Sequence, residues 1–320
     1  MQNTIHYNQR LKINELNNTT NLEDAIKNAE HLYISNLLGD EELLSSINSY
    51  LKKYNKKLWL SLNKSTEINQ ENLKQLRYLT NVKKLKIIVF NGFIEDLSEL
   101  SHIDDLEEFT IYDNVKKGIS LVPLAKFKNL SFLSLYTGLT IKQYAVLNTF
   151  EKLEHLSARE IDFSKLNNLP IKELTVDSKF IHSDLIAEKF PDIEYISLQN
   201  CKDVSIENIG SLPVLSDVRL RYMPHITRLT SFKNKENIFH LECVHLKNLE
   251  NIEALFELKQ LKYLMITDLE RLKAEDFYRL KELPNLKVAY ITFKNAKEND
   301  KFITFANAHN WVYKQPSLVR

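Results

Sequence analysis

A pair of apolar residues separated by one other residue recurs twelve times along this 320-residue chain, at intervals of 18 to 27 residues. The pairs are Leu32 and Ile34, Leu58 and Leu60, Leu85 and Ile87, Phe109 and Ile111, Leu133 and Leu135, Leu156 and Ala158. They continue as Leu174 and Val176, Ile196 and Leu198, Val218 and Leu220, Leu241 and Cys243, Leu264 and Ile266, Ala289 and Ile291. Side chains two apart share one face of a strand, and a near-constant period means that one small unit is copied and stacked. Length alone would suggest two domains, but a repeat overrides that prior.

Most copies carry a further apolar residue three before the pair, as in "LSFLSL" at 130–135, "IEYISL" at 193–198, "LSDVRL" at 215–220 and "LKYLMI" at 261–266. Between pairs the spacing turns helical, as with Ile252, Leu255, Leu258 and Leu261. Neither half of such a unit buries its apolar face alone, whereas stacked units bury both. Pro170, Pro191, Pro213 and Pro284 each fall four or five residues before a pair, where a helix must stop and the chain extend.

On this LxxLxL pattern the chain resembles the leucine-rich repeat family, in its free-standing bacterial form, over roughly residues 29–294. The resemblance implies an α/β solenoid, a horseshoe with a concave parallel sheet and a mostly helical convex face. The expected organisation is one domain over 1–320, with an N-terminal cap at 1–28, about twelve repeats over 29–294 and a C-terminal cap at 295–320. Within that cap, "NWVYK" around Trp311 reads as a capping strand. Asn63, Asn114 and Cys201 occupy the family's polar slot three residues beyond the pair, but Leu37, Ile161, Met223, Leu246 and Leu269 fill it elsewhere, which argues against a continuous asparagine ladder. The 18-residue interval from Leu156 to Leu174 leaves little room for a helix and predicts a tighter convex turn.

Composition narrows the function. Lys and Arg number 43 against 42 Asp and Glu, a net charge of +1, which argues against nucleic-acid or anionic-membrane partners, since both require phosphate neutralisation. The N-terminus lacks the basic start and apolar run of a secretory signal, and two cysteines suit a reducing compartment, so the expected location is cytoplasmic. Abundant Lys, Asn and Ile with only 5 Gly suggest an AT-rich bacterial source.

Signals for catalysis are poor. Glycines at 39, 92, 118, 138 and 210 form neither a phosphate-cradling loop nor a nucleophile elbow. "HLECVH" at 240–245 brings His240, Cys243 and His245 close in sequence, but strand alternation sends Cys243 inward and His240 outward. His182, Ser183 and Asp184 are adjacent, and adjacent residues cannot form a hydrolytic triad. Cys201 and Cys243 lie two repeats apart, roughly 10 Å by strand spacing, too far for an unstrained disulfide. No metal, cofactor or enzymatic activity is therefore expected.

What remains is the surface that the repeat builds. Residues flanking and separating each pair project from the concave face, with Lys57, Lys84, Lys86, Arg159, Arg219 and Arg221 facing Glu108, Glu173, Asp177, Asp217 and Glu242 in near balance. Its centre mixes Tyr112, Phe132, Tyr136, Arg159, Tyr195, Arg219 and Arg221, residue types that anchor protein interfaces. The plainer alternative is that Tyr and Thr simply favour strands and pair along their columns. A second, more apolar patch of Val244, Tyr263, Met265, Val288 and Tyr290 lies near the C-terminal cap, whose Phe302, Phe305 and Trp311 are placed to cover part of it. The expected function is a non-enzymatic module that is a monomer when free and binds a protein partner on its concave face. A stoichiometric inhibitor or immunity-like protein is its sharper form by analogy, with a bacterial effector or a glycan-binding protein as the alternatives.

Overall fold

The computed structural model describes residues 10–12, 22–29, 31–35, 41–62, 68–202 and 204–313. The chain divides into two compact units, Met1–Ala158 and Arg159–Arg320. In the first, the strands are β1 (Arg10–Lys12), β2 (His31–Ser35), β3 (Leu58–Leu62), β4 (Val82–Ile94), β5 (Glu108–Val115) and β6 (Phe132–Gly138). The boundary between units falls inside β7 (His155–Asp162). The second contains β8 (Glu173–Ile181), β9 (Tyr195–Gln199), β10 (Asp217–Arg221), β11 (His240–Val244), β12 (Tyr263–Leu269) and β13 (Val288–Phe293). Within each unit, β1 to β6 and β8 to β13 pair in parallel and in chain order.

All twelve apolar pairs lie on strands, and all their side chains are buried. From β8 to β13 the pairs stand opposite one another without a slip, Leu198 facing Leu220 and Leu220 facing Cys243. One register differs from the sequence reading. On β3 the residues opposite Leu85 and Ile87 are Leu60 and Leu62, not Leu58 and Leu60, because the ladder shifts between Leu58 and Trp59. A slip of two residues keeps every side chain on its own face, so the core accepts either pair, and Leu62 is buried like its neighbours. The outward face changes with it: Trp59 stands beside Lys84 rather than Lys86.

The connections are less uniformly helical than the resemblance implies. The first unit carries α1 (Leu22–Asn28), α2 (Glu41–Lys53), α3 (Gln70–Lys74) and α4 (Ile141–Leu147), and the second α5 (Ile186–Lys189), α6 (Ile206–Gly210) and α7 (Ala296–Ala308). Elsewhere the return is a 3-10 turn, as at Ser98–His102, Val122–Leu124 and Glu253–Glu257, and residues 222–239 contain no helix of either kind. Strands stack about 4.8 Å apart whereas an α-helix is about 10 Å wide, so a helix on every repeat would force the units to splay. Narrower turns relieve that mismatch. In the 18-residue repeat the return is the three-residue turn Phe163–Lys165, as its length predicts.

The ends are closed differently. Inside the expected N-terminal cap lies β1, paired with β2, a strand that the pair pattern does not reach. At the other end α7 buries Phe302 against Phe277 and Phe293, and Val312 makes a single parallel bridge to Val288 rather than a full strand. Of the polar-slot residues, Asn114 donates to the Phe90 carbonyl at 3.2 Å and Cys201 to the Val176 carbonyl at 3.6 Å, two isolated rungs between repeats. Asn63 and Leu37 lie outside the described residues.

Candidate functional site

Strand register turns the outward residues into rows. In the first unit one row runs Tyr33, Trp59, Lys84, Glu108 and Phe132. The Lys84 ammonium sits 4.1 Å from the centre of the Trp59 ring and also bridges Glu108, so one face of the indole is already covered. Phe132 stacks on His155, with centroids 4.0 Å apart and planes at 12°. Tyr112 shares a 2.7 Å hydrogen bond with Ser134 and leans on Tyr136, which is exposed. These contacts fix two separate aromatic pairs, Tyr112 with Tyr136 and Phe132 with His155.

In the second unit three rows cross β8 to β12. The first is Glu173, Tyr195, Asp217, His240 and Tyr263; the next is Thr175, Ser197, Arg219, Glu242 and Met265; the third is Asp177, Gln199, Arg221, Val244 and Thr267. Asp217 is the hub. It accepts two hydrogen bonds from Arg219, both 3.1 Å, and stands 3.2 Å from His240 Nδ1. The Arg219 guanidinium lies over the Tyr195 ring at 4.9 Å. Arg221 donates its Nε to Glu242 at 2.6 Å, and both carboxylates lie beneath the arginines, 12% and 8% exposed. Arg159 is exposed on β7.

Burial alone would raise the Asp217 carboxyl pKa, but the hydrogen bonds from His240 and Arg219 outweigh it and hold the group below its ordinary value. A lowered folded-state pKa contributes stability above the unfolded pKa, about 4, and that contribution is lost as pH falls through the folded value. Acid titration of unfolding should therefore show a loss below about pH 4 that is smaller in Asp217→Asn. An unchanged acid limb in that variant would mean that Asp217 is not a linked group.

Two of the three arginines selected from the sequence are thus not bare cations. Arg219 and Arg221 are each oriented by a carboxylate of the same face. The secondary patch also changes character: Tyr263 is exposed, but Tyr290 packs against Tyr313 at 5.2 Å, and the Tyr313 hydroxyl donates to the Ile291 carbonyl at 2.9 Å. Cover on the sheet face therefore comes from Tyr313, whereas Phe302 is buried in the core and Phe305 and Trp311 pack together around His309.

The "HLECVH" side chains point apart. Cys243 is buried, where desolvation and the Glu242 charge push its thiol pKa up; His240 meets Asp217 and His245 meets Asp268 at 2.9 Å. His182 faces Asp162 at 2.7 Å while Ser183 accepts from Asn208, so those residues do not form a relay. Neither cysteine is in a disulfide.

Two features lie outside the columns. Phe90, Phe93 and Tyr222 are exposed beyond the strand pairs. Asp113, Asn200, Tyr222, His245 and Asp268, each two residues after a pair, have φ between 54° and 69°. At Asn200, Tyr222 and His245 the left-handed residue immediately follows the end of its strand, whereas Asp113 and Asp268 lie within β5 and β12. Asp, Asn and His tolerate the left-handed conformation, but for a bulky Tyr it is unusual, and Tyr222 is held by stacking on His245 at 4.7 Å and by its N–H bond to Val244.

No family model matches this sequence, and no curated protein matches it. Among solved structures, an internalin of Listeria monocytogenes is 14% identical with a TM-score of 0.40, over 92% of this chain and 84% of that one. A leucine-rich-repeat protein of Leptospira interrogans is 15% identical with a TM-score of 0.46, over 91% of each. A chain of the Drosophila Toll–Spatzle complex is 13% identical with a TM-score of 0.42, over 89% of this chain and 47% of that one. The buried LxxLxL residues, the parallel register and the repeat length are the chain's own, and by them each unit is a leucine-rich-repeat solenoid.

Proposed function

We propose that the chain is a non-enzymatic protein-binding module that uses the outward faces of its sheets. The observation that carries this reading is the fixing of aromatic rings on those faces by side chains of the adjacent strand. Phe132 is held by His155 in the first unit and Tyr195 by Arg219 in the second. Rigid aromatic and arginine side chains lose little entropy on association and dominate interface energetics. Near-balance of charge on the faces suits a folded protein or an extended peptide better than a polyanion. Tyr112 and Tyr136 extend the first group, Arg221 and Tyr263 the second, and each group is a candidate on its own.

Affinity capture with the whole chain from an extract of its source, read by mass spectrometry, tests this. Wild type should retain a partner that Phe132→Ala or Tyr195→Ala weakens by about 2 kcal/mol or more, roughly 30-fold, with unfolding midpoints unchanged. Capture indifferent to both substitutions, and to Tyr263→Ala, would defeat the reading.

A further inference from the structure

Around the start of β4 and β5 in the first unit, each carboxylate has its own lysine. Asp104 meets Lys52 at 3.2 Å, Asp105 meets Lys83 at 2.7 Å, Glu107 meets Lys57 at 3.2 Å, and Glu108 meets Lys84. Lys86, two residues beyond Lys84 on the same outward face, is left over: it is exposed and makes no hydrogen bond or ion pair among the described residues. The next carboxylate on β5 is Asp113, three residues or about 10 Å beyond Thr110, and the exposed Lys116 and Lys117 follow it, so counting that group leaves the surroundings of Lys86 positive.

Register sets Lys86 between Ser61 on β3 and Thr110 on β5. The Ser61 hydroxyl is enclosed and has no hydrogen-bond partner, and that of Thr110 has none among the described residues. Hydroxyls can donate to an anion but cannot neutralise an ammonium. In the next outward row Ile88 stands opposite Tyr112, which leans on the exposed Tyr136. A cationic row and an apolar row thus lie two residues apart along β4, about 6.7 Å, which is also the spacing of alternate side chains in an extended segment laid over them.

We infer that Lys86 and Thr110 seat the carboxylate of an Asp or Glu side chain of a protein partner, while an apolar partner side chain two residues away lies on Ile88 and Tyr112. One uncompensated ammonium matches one negative charge; a phosphate dianion would need further cations, and Lys84 is already engaged by Glu108. This rests on the protein-binding reading above and specifies what the partner must carry toward the first unit.

Methyl NMR of the whole chain, labelled at its Ile and Thr methyl groups, reads both rows directly. The probes are acetyl-Glu-Ala-Leu-amide, acetyl-Gln-Ala-Leu-amide, acetyl-Glu-Ala-Ala-amide and inorganic phosphate. The Glu-Ala-Leu peptide should shift Ile88 and Thr110 saturably in the millimolar range, and each other probe should bind about threefold or more weakly, as suits an exposed ion pair and one apolar contact. Lys86→Gln, which breaks no internal bond, should erase the preference for Glu over Gln, and Lys86→Glu should transfer it to acetyl-Lys-Ala-Leu-amide, both with unchanged unfolding midpoints. No saturable shift at the two methyl groups, equal binding of the Glu and Gln peptides, phosphate binding as tightly as the Glu-Ala-Leu peptide, or a preference for Glu that survives in Lys86→Gln would overturn the proposal. If partner capture still depends on Phe132 or Tyr195 under those outcomes, only the carboxylate seat falls; capture indifferent to both, and to Tyr263→Ala, takes the broader reading with it.

Discussion

Replacing Phe163 with alanine is expected to lower the unfolding free energy by about 3–5 kcal/mol, the range for a fully buried phenylalanine. Phe163 opens the 3-10 turn after β7 in the 18-residue repeat, where there is no helix to supply leucines to the core. Three rings fill that volume instead. Phe163 meets Phe180 at 4.9 Å and 67°, and Phe190 at 5.4 Å and 68°, both edge-on and all three fully buried. The edge-to-face arrangement adds a favourable quadrupole term to the burial. Truncation therefore leaves a ring-sized cavity in the repeat with the least surrounding chain to collapse into it. Urea unfolding followed by circular dichroism should show a lower midpoint at similar slope, and Phe163→Leu should lose less. A loss under about 1 kcal/mol would mean that the short repeat relaxes around the gap, and that the aromatic cluster is not what holds it.

The fold was legible because it is written in period two. Strand phase is unambiguous wherever a pair stands alone, as with Val218 and Leu220, which the register aligns with Ile196 and Leu198. On β3 three alternating leucines, Leu58, Leu60 and Leu62, offer two pairs with the same inward face, and nothing within the strand chooses between them. That ambiguity hides the contact of Trp59 with Lys84 from a reading of the columns. The convex side was harder to read because segments this short have little helical stability of their own, so packing against the next turn decides their form. On the candidate faces, residue types were readable but not their mutual engagement. Arg219 and Asp217 are two apart on one strand, so their side chains share a face, yet the lean of Arg219 over Tyr195 on the adjacent strand is a rotamer choice that spacing does not encode. Tyr222 is further still from prediction, since its residue type argues against the left-handed backbone it adopts.

Alternation itself predicts the other large effect. Leu220 is fully buried on β10, facing Leu198 on one side and Cys243 on the other, so Leu220→Ala or Leu198→Ala should cost about 2–5 kcal/mol. The outward neighbour Gln199 stands one residue from Leu198, is only half-buried and makes no side-chain hydrogen bond among the described residues, so Gln199→Ala should stay within about 0.5 kcal/mol. The contrast between adjacent positions reports the phase of the strand directly, because a one-residue slip would exchange their faces. Leu198 and Leu220 also touch the same part of the stack, so the double variant should depart from the sum of the singles by about 0.5 kcal/mol or more as the two cavities merge. Equal losses at Leu198 and Gln199 would show that the strand does not keep one face in the core, and the outward rows from Tyr195 to Arg221 would lose their basis with it.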